Sequence, residues 1–197
     1  MTNEFDYYLI DRNNWEAYPL IEITNFDELD YTTFMYIQFA SPIPRNPVLA
    51  DFLLGLYLPS FGYYFSRRIA NAIEKMNIYG IRFISTELTD PKGNVSNDYF
   101  CLDVTNRIAA MNQEKSEYKF KDYIHDDSVN REYSIDKFVL DKVALKQTPL
   151  EKRLVFLLEE AGEEIVLHKS VVDAIIAEKP TGIQFHHLEG SSLLKYL

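Results

Sequence analysis

The sequence contains little cysteine and histidine, and several short motifs of well-known enzyme classes are missing from it. It has a single cysteine, Cys101, which excludes an internal disulfide, and it has four histidines. Gly-x-Ser-x-Gly, His-Glu-x-x-His, a phosphate-binding loop and a dinucleotide-binding fingerprint are all missing. The sequence therefore gives no reason to expect a hydrolase of these types, a zinc protease or a nucleotide-dependent enzyme.

Long hydrophobic runs are also missing. The segment 48–58 is among the longest, and it is interrupted by Asp51 and Gly55, so it falls well short of a membrane span. The N-terminus is acidic and has no basic stretch followed by an apolar core. We therefore expect no signal peptide, no membrane association and a cytoplasmic location.

Basic side chains are outnumbered: 30 acidic and 20 basic residues give a formal net charge of −10. Direct nucleic-acid binding is disfavoured, because a basic footprint supplies most of its affinity. The charge is compatible with a basic partner, although solubility explains it equally well. Residues 4–30 contain only one basic residue, Arg12, and for their acidic residues we favour a solvated strand face over a docking surface. These acidic residues are Glu4, Asp6, Asp11, Glu16, Glu22, Asp27, Glu28 and Asp30.

One stretch of the chain occurs twice. Residues 62–88 align without a gap on residues 164–190 after a shift of 102 positions, which carries Gly80 to Gly182. Each copy is typical of a short strand, a helix with apolar residues at i, i+3 and i+4, a glycine turn and a second strand. Ser66 is placed to cap the first helix with its hydroxyl, whereas His168 should cap the second helix less well.

The rest of the chain indicates strands more often than helices. Aromatic and β-branched residues predict strands at 5–10, 18–23 and 32–39, and a turn after Leu88 predicts a β-hairpin with 99–104. Residues 48–57 suggest a short buried helix, and the polar stretch 119–132 suggests a loop.

The predicted fold class is therefore α+β, with a mixed, largely antiparallel sheet and a few short helices around the twice-used strand–helix–strand unit. We expect an N-terminal lobe at 1–118, with the first unit at 62–88. A C-terminal lobe at 119–197 carries the second unit at 164–190. Together the two lobes form one compact domain.

Three histidines suggest an alternative function. His168 with His186 or His187 and with Glu189 could bind a small ligand or a metal ion if the fold brought them together. However, His186 and His187 are adjacent on a predicted strand and point to opposite faces. Cys101 lies in an apolar strand two residues from Asp103, so we expect an inert thiol with a raised pKa. We predict no catalytic residue, no cofactor and no metal.

Aromatic residues among acidic ones favour one segment as a contact with a partner protein. Its tyrosines lie in the polar stretch near 119–132, and an acidic turn precedes the second repeat unit. The residues predicted to bind the partner are Tyr118, Asp122, Tyr123, Asp126, Asp127, Glu163 and Glu164.

Several phrases, taken in chain order, resemble those of a known family. They include Asn46-Pro47-Val48-Leu49-Ala50-Asp51-Phe52-Leu53, Tyr99-Phe100-Cys101-Leu102-Asp103-Val104-Thr105-Asn106, Ile135-Asp136-Lys137-Phe138-Val139-Leu140-Asp141 and Thr181-Gly182-Ile183-Gln184-Phe185. This order, from about residue 46 to 189, resembles a family of bacterial immunity proteins from polymorphic-toxin loci, the eleventh such family.

The resemblance implies a non-enzymatic cytoplasmic protein that binds a cognate toxin and neutralises it by occlusion. No catalytic residues come with the family. The acidic charge would suit a basic toxin such as a nuclease. Two alternatives stay open: a secretion-linked adaptor or chaperone for an effector, and the ligand-binding or metal-binding protein based on the histidines.

Overall fold

The structure, a computed structural model, describes residues 4–13, 17–24, 34–45, 47–56, 62–125, 128–161 and 164–193, with the backbone alone for 121–133. Within these ranges no helix has both the length and the hydrophobicity needed to cross a membrane. The elements, in chain order, are β1 (Tyr7–Arg12), β2 (Leu20–Ile23), β3 (Phe34–Phe39), β4 (Phe52–Gly55), β5 (Tyr63–Ser66), α1 (Arg67–Glu74), β6 (Ile81–Thr89), β7 (Val95–Val104), β8 (Arg107–Ile108), β9 (Glu117–His125), β10 (Ser128–Lys137), α2 (Lys142–Gln147), β11 (Val155–Leu158), β12 (Ile165–His168), α3 (Lys169–Ala177) and β13 (Ile183–His187).

The strands form three sheets. One is a closed sheet of six strands in the order β2-β3-β6-β7-β5-β4, and one is an open sheet in the order β13-β1-β12-β11-β8. The third is the antiparallel hairpin of β9 and β10. Most neighbouring strands are antiparallel, and with three α-helices this confirms the predicted α+β class. The predicted lobes, 1–118 and 119–197, stay a prediction.

The predicted strand–helix–strand unit is present twice, as β5-α1-β6 and as β12-α3-β13. The two helices pack in one core between the sheets, where Ile69 and Ile73 of α1 share a cluster with Val171 and Ile175 of α3. Both helices thus bury the stripe that their i, i+3, i+4 spacing predicts.

The duplication extends beyond this unit, because β1 is the counterpart of β7. In the first copy β7 lies between β5 and β6, and Cys101 is opposite Tyr64. In the second copy β1 lies between β12 and β13, and Leu9 is opposite Val166, which is 102 positions after Tyr64. The two strands also match in sequence, as YYLIDR and YFCLDV.

The two copies take this strand from different positions in the chain. The strand β1 begins the chain but completes the sheet of the second copy, whereas β7 follows the first copy and completes that copy's sheet. The parallel pairs β2-β4 and β8-β11 also correspond to each other, with Leu54 opposite Leu20 and Leu157 opposite Arg107. The chain is therefore two similar halves, and the first half contributes β1 to the sheet of the second.

Two sequence predictions are wrong. The segment 48–57 was predicted as a helix, but its described residues, 48–56, include β4, in which Phe52 pairs with Phe65 of β5. A short, continuously apolar run fits a buried strand as well as a buried helix, and here the partner strands decide. Residues 119–132 are not a loop, because their described part forms most of the β9-β10 hairpin. Its charged residues alternate with aromatic ones, so the overall polarity concealed a strand period of two.

The predicted order of the helix caps is also wrong. The Ser66 hydroxyl makes no capping hydrogen bond to α1 and instead donates to Asp51 Oδ1 at 2.7 Å. His168 does cap α3, because its Nδ1 accepts a 3.2 Å hydrogen bond from the Ser170 amide. The carboxylate of Asp51 thus competes successfully for the hydroxyl that the sequence assigned to the cap.

Asp51 joins the start of α1 to the turn before β13. Its carboxylate accepts hydrogen bonds from Ser66 Oγ, from Thr181 N and Oγ1 at 2.9 Å each, and from Arg68 Nη2 at 2.8 Å. Burial alone would raise the pKa of Asp51, but these hydrogen bonds and the charge of Arg68 outweigh it and lower the pKa. The ionised form is therefore favoured in the folded state.

Asp51→Asn is expected to lower the free energy of unfolding by about 1–2 kcal/mol near neutral pH. A carboxylate with a lowered folded-state pKa stabilises the fold above its ordinary pKa, and this contribution is lost as the pH falls through the folded-state value. Urea unfolding at about pH 7 and about pH 3 should show the difference between variant and wild type shrinking on acidification. An equal difference at both values would contradict this assignment.

Candidate partner-binding surface

The β9-β10 hairpin is fixed to the body of the protein at its base. Ile135 is fully buried in a cluster with Leu158 and Ala161. Its backbone exchanges two hydrogen bonds with Leu193, of 3.4 Å and 2.8 Å, near the end of the described chain. This end of the ribbon is therefore rigidly positioned.

An aromatic pair leads from this base towards solvent. The half-buried Tyr118 lies opposite Ile135 and packs against the same cluster, and its ring meets the ring of Phe120 edge to face at 5.4 Å. The Phe120 side chain is 50% exposed. An exposed phenylalanine on a fixed strand is a feature more typical of a contact surface than of a solvated hairpin.

The charged residues beside this pair contribute little to stability. Lys119 lies 3.6 Å from Asp136, and Lys137 lies 3.6 Å from Glu117, with all four side chains largely exposed. Exposed ion pairs of this kind are worth less than about 1 kcal/mol. Among the side chains that the structure describes in the hairpin, Phe120 is the exposed apolar one.

The residues predicted to bind a partner are only partly described. Tyr118 is at the base of the hairpin, and the backbone of Asp122 and Tyr123 lies in β9 opposite Arg131 and Asn130. Asp126, Asp127 and Glu163 lie outside the described residues. The assignment of these residues to a contact stays a prediction.

Glu164, the last predicted contact residue, is half-buried. Its Oε2 accepts a 3.4 Å hydrogen bond from the Tyr63 hydroxyl, and its backbone carbonyl accepts one from Leu158. Burial, with the nearby Glu164 carboxylate, raises the pKa of Tyr63. Leu158 also belongs to the buried cluster against which Tyr118 packs. Tyr118 and Glu164 therefore both adjoin this cluster.

Phe120 was not among the predicted contact residues, although its ring is more exposed than that of Tyr118, the other aromatic side chain described in the hairpin. The available signal was the alternation of Tyr118 and Phe120 with Glu117 and Lys119, which gives one aromatic and one charged face. Reading the segment as a loop removed the reason to look for a period of two.

The histidines do not converge in the described part of the chain, where no three His, Cys, Asp or Glu side chains are grouped to hold a metal ion. His168 is buried beside Tyr7, and burial and then the charge of Arg153 lower its pKa. His186 lies 3.8 Å from Asp11, and His187 lies 3.3 Å from Asp6. Each of these three histidines therefore has a different set of neighbours.

Cys101 is fully buried in β7, as the sequence predicts. Burial, and then the charge of Asp103, raise the pKa of its thiol. Asp103 is itself bound to Arg82 at 2.5 Å. A protonated thiol in this position is a packing residue rather than a nucleophile.

Four of the eight acidic residues between 4 and 30 are described, and each has a partner. Glu4 binds Arg153 at 2.5 Å, Asp6 lies near His187, and Asp11 accepts from Gln184 at 3.2 Å. Glu22 accepts from Gln38 at 2.7 Å. The first three connect β1 and the residues just before it to the second half of the chain.

A comparison with protein families finds a match to the model of an immunity protein family (Imm11) over residues 44–190. The match includes both strand–helix–strand units and the β9-β10 hairpin, whereas β1, β2 and β3 precede it. A comparison with curated proteins finds no match.

Proposed function

The chain belongs to the immunity protein family Imm11, which its ordered motifs resemble, and we propose that it binds a cognate bacterial toxin and neutralises it by occlusion. The observation that carries this proposal is the family match over most of the chain. Neutralisation requires no chemistry by the immunity protein itself, because covering a toxin's working surface is sufficient. The proposed location is the cytoplasm, where such a toxin would act.

We propose that the β9-β10 hairpin is the part of the protein that enters the toxin. Its base is anchored through Ile135, and Phe120 stands exposed beside it. A ribbon that is already ordered loses little conformational entropy on binding, so more of the contact energy appears as affinity. The predicted residues Tyr118, Asp122 and Tyr123 lie in this hairpin and belong to this proposal, together with Asp126 and Asp127, which come between its two strands in the sequence.

The toxin is proposed to be basic, such as a nuclease. A net charge of −10 accelerates encounter with a positively charged protein and disfavours binding to nucleic acid by this chain itself. Affinity should then fall as salt is added. Affinity that does not depend on salt would count against a basic partner.

Co-expression tests the proposed function. The toxin encoded beside this protein is induced in cells with and without it, and growth and pull-down are measured together. Restored growth with a stable complex supports immunity. Binding without restored growth supports the secretion-linked adaptor instead, and growth arrest without binding overturns both.

Phe120→Ala is expected to weaken toxin binding by about 30-fold, as loss of a central aromatic contact typically does. The fold should be retained, because the ring is half exposed and loss of its edge-to-face contact with Tyr118 costs about 0.5–1.5 kcal/mol. Val143→Ala is the matched control, since Val143 is 72% exposed but lies on α2. Calorimetry that gives both variants wild-type affinity would remove the hairpin from the interface.

A further inference from the structure

The strands β2, β3 and β6 form a continuous outer face on the closed sheet. Tyr36 lies opposite Glu87 of β6, and Gln38 lies opposite Glu22 of β2, whose carboxylate accepts its 2.7 Å hydrogen bond. Ile37, between Tyr36 and Gln38, is buried inside the sheet. The alternation of a strand therefore places Tyr36, Gln38, Glu22 and Glu87 together on the outside.

The ring of Tyr36 on this face packs against a neighbouring ring and stays partly exposed to solvent. Phe34 and Tyr36 are two residues apart on β3, and their rings meet edge to face at 5.2 Å. Tyr36 remains 41% exposed. Exposed tyrosines in a fixed position are among the residues enriched at protein interfaces.

The charge on this face has one sign. Strands β2 and β3 and residues 83–89 of β6 contain Glu22 and Glu87 but no Lys, Arg or His. Arg82 is at the other end of β6 and is bound to Asp103 at 2.5 Å. An arginine of a partner is the complementary group, because its guanidinium can stack on a tyrosine ring and pair with a carboxylate at once.

Part of this face lies outside the region that the family shares. The match begins at residue 44, after β2 and β3, while β6 is inside it. We infer that this face selects the toxin by binding a basic segment of it, with one arginine on the Tyr36 ring and against Glu87. The inference rests on the proposed function, which supplies the toxin. It assigns occlusion of the toxin to the hairpin and recognition of the particular toxin to this face.

A peptide experiment tests the face without any toxin. Hexa-arginine is titrated into the ¹⁵N-labelled protein, with hexa-glutamate as the negative probe. The amides of Tyr36, Ser85 and Glu87 should shift, and Tyr36→Ala should weaken binding about fivefold. Tyr79→Ala is the control, because Tyr79 is a tyrosine of similar exposure before the other end of β6. No binding, shifts spread over the whole surface, or equal affinity for Tyr36→Ala would overturn the inference.

The second arm uses the toxin once co-expression has shown neutralisation. Tyr36→Ala and Glu87→Gln should each weaken the complex several-fold, and Glu151→Gln, an exposed glutamate elsewhere, should not. Neutralisation with wild-type affinity in both variants overturns the face and leaves the proposed function standing. Absence of neutralisation overturns the function, and the peptide experiment then decides the face alone.

A second copy of this protein is the other occupant that the face could bind. Light scattering of the free protein should show a monomer over the concentrations used for binding, because two copies would bring like charges together. A dimer that Tyr36→Ala abolishes would assign the face to a second copy and overturn the inference.

Discussion

Arg153→Ala is expected to lower the free energy of unfolding by about 3 kcal/mol, because it removes one partner from a buried polar cluster. Arg153 is 3% exposed and donates hydrogen bonds to the carbonyls of Thr148 and Glu4 at 3.1 Å and 2.9 Å. It also donates to the Tyr7 hydroxyl at 2.8 Å and to Glu4 Oε1 at 2.5 Å. The substitution leaves the Tyr7 hydroxyl without this donor in a place that water reaches poorly, whereas the Glu4 side chain is 55% exposed and can be hydrated.

This effect depends on the position of β1 in the sheet of the second half. Tyr7 belongs to β1, near the start of the chain, whereas Arg153 lies two residues before β11 in the second half. Lys152→Ala is the matched control: Lys152 is exposed and stacks over Tyr79 at 5.2 Å, a contact worth about 0.5–1 kcal/mol. Urea unfolding should therefore separate two neighbouring residues by about 2 kcal/mol or more. Equal effects would show that β1 is held by its sheet pairing alone.

Gly182→Ala is expected to destabilise the fold by about 3 kcal/mol, through strain and crowding together. Gly182 has φ +81°, which alanine adopts at a cost, and an added Cβ would press on the Ala50 side chain and lie 2.8 Å from the Phe52 carbonyl oxygen. Its own carbonyl accepts from Asn13, directly after β1. The turn therefore has β4 on one side and the end of β1 on the other.

Gly190→Ala separates the two contributions. Gly190 has almost the same φ, +82°, but nothing lies within 4 Å of an added Cβ. Strain alone then applies, and the expected loss is about 1 kcal/mol. The difference between the two variants, measured by thermal or urea unfolding, gives the contribution of crowding. Equal losses would mean that β4 moves away from the turn without cost.

The sequence predicts local structure well where the pattern is internal to a segment. The helices α1 and α3 carry their apolar stripe within one stretch of the chain, and Gly80 and Gly182 both adopt the positive φ that their turns require. Cys101 is likewise surrounded by apolar neighbours in its own strand. In each case neighbouring residues alone contain the information.

It fails where a distant strand decides. The strand β4 is a short apolar segment, and only its pairing with β5 and β2 determines that it is a strand. The role of β1 was invisible for the same reason, because its partners β12 and β13 lie more than half the chain away. The prediction that Ser66 caps α1 was wrong because its hydroxyl donates to Asp51, which directly precedes β4 and is 15 residues away in the chain.

The candidate surfaces follow the same division. Tyr118 could be found from the sequence as a tyrosine in a polar stretch, whereas the exposure of Phe120 required the hairpin. Tyr36 could be placed beside Glu87 only after β3 was found to pair with β6. The alternation of a strand predicts which of its residues face outward. It does not predict which strands are neighbours.

Titration of purified toxin with this protein tests the central claim most directly. A protein that blocks by binding should reduce the toxin's activity in proportion to the amount added, reach full inhibition at an equimolar ratio, and release an unmodified, active toxin on denaturation and refolding. Complete inactivation by far less than an equimolar amount, with a permanent change in the toxin's mass, would instead make this protein an enzyme.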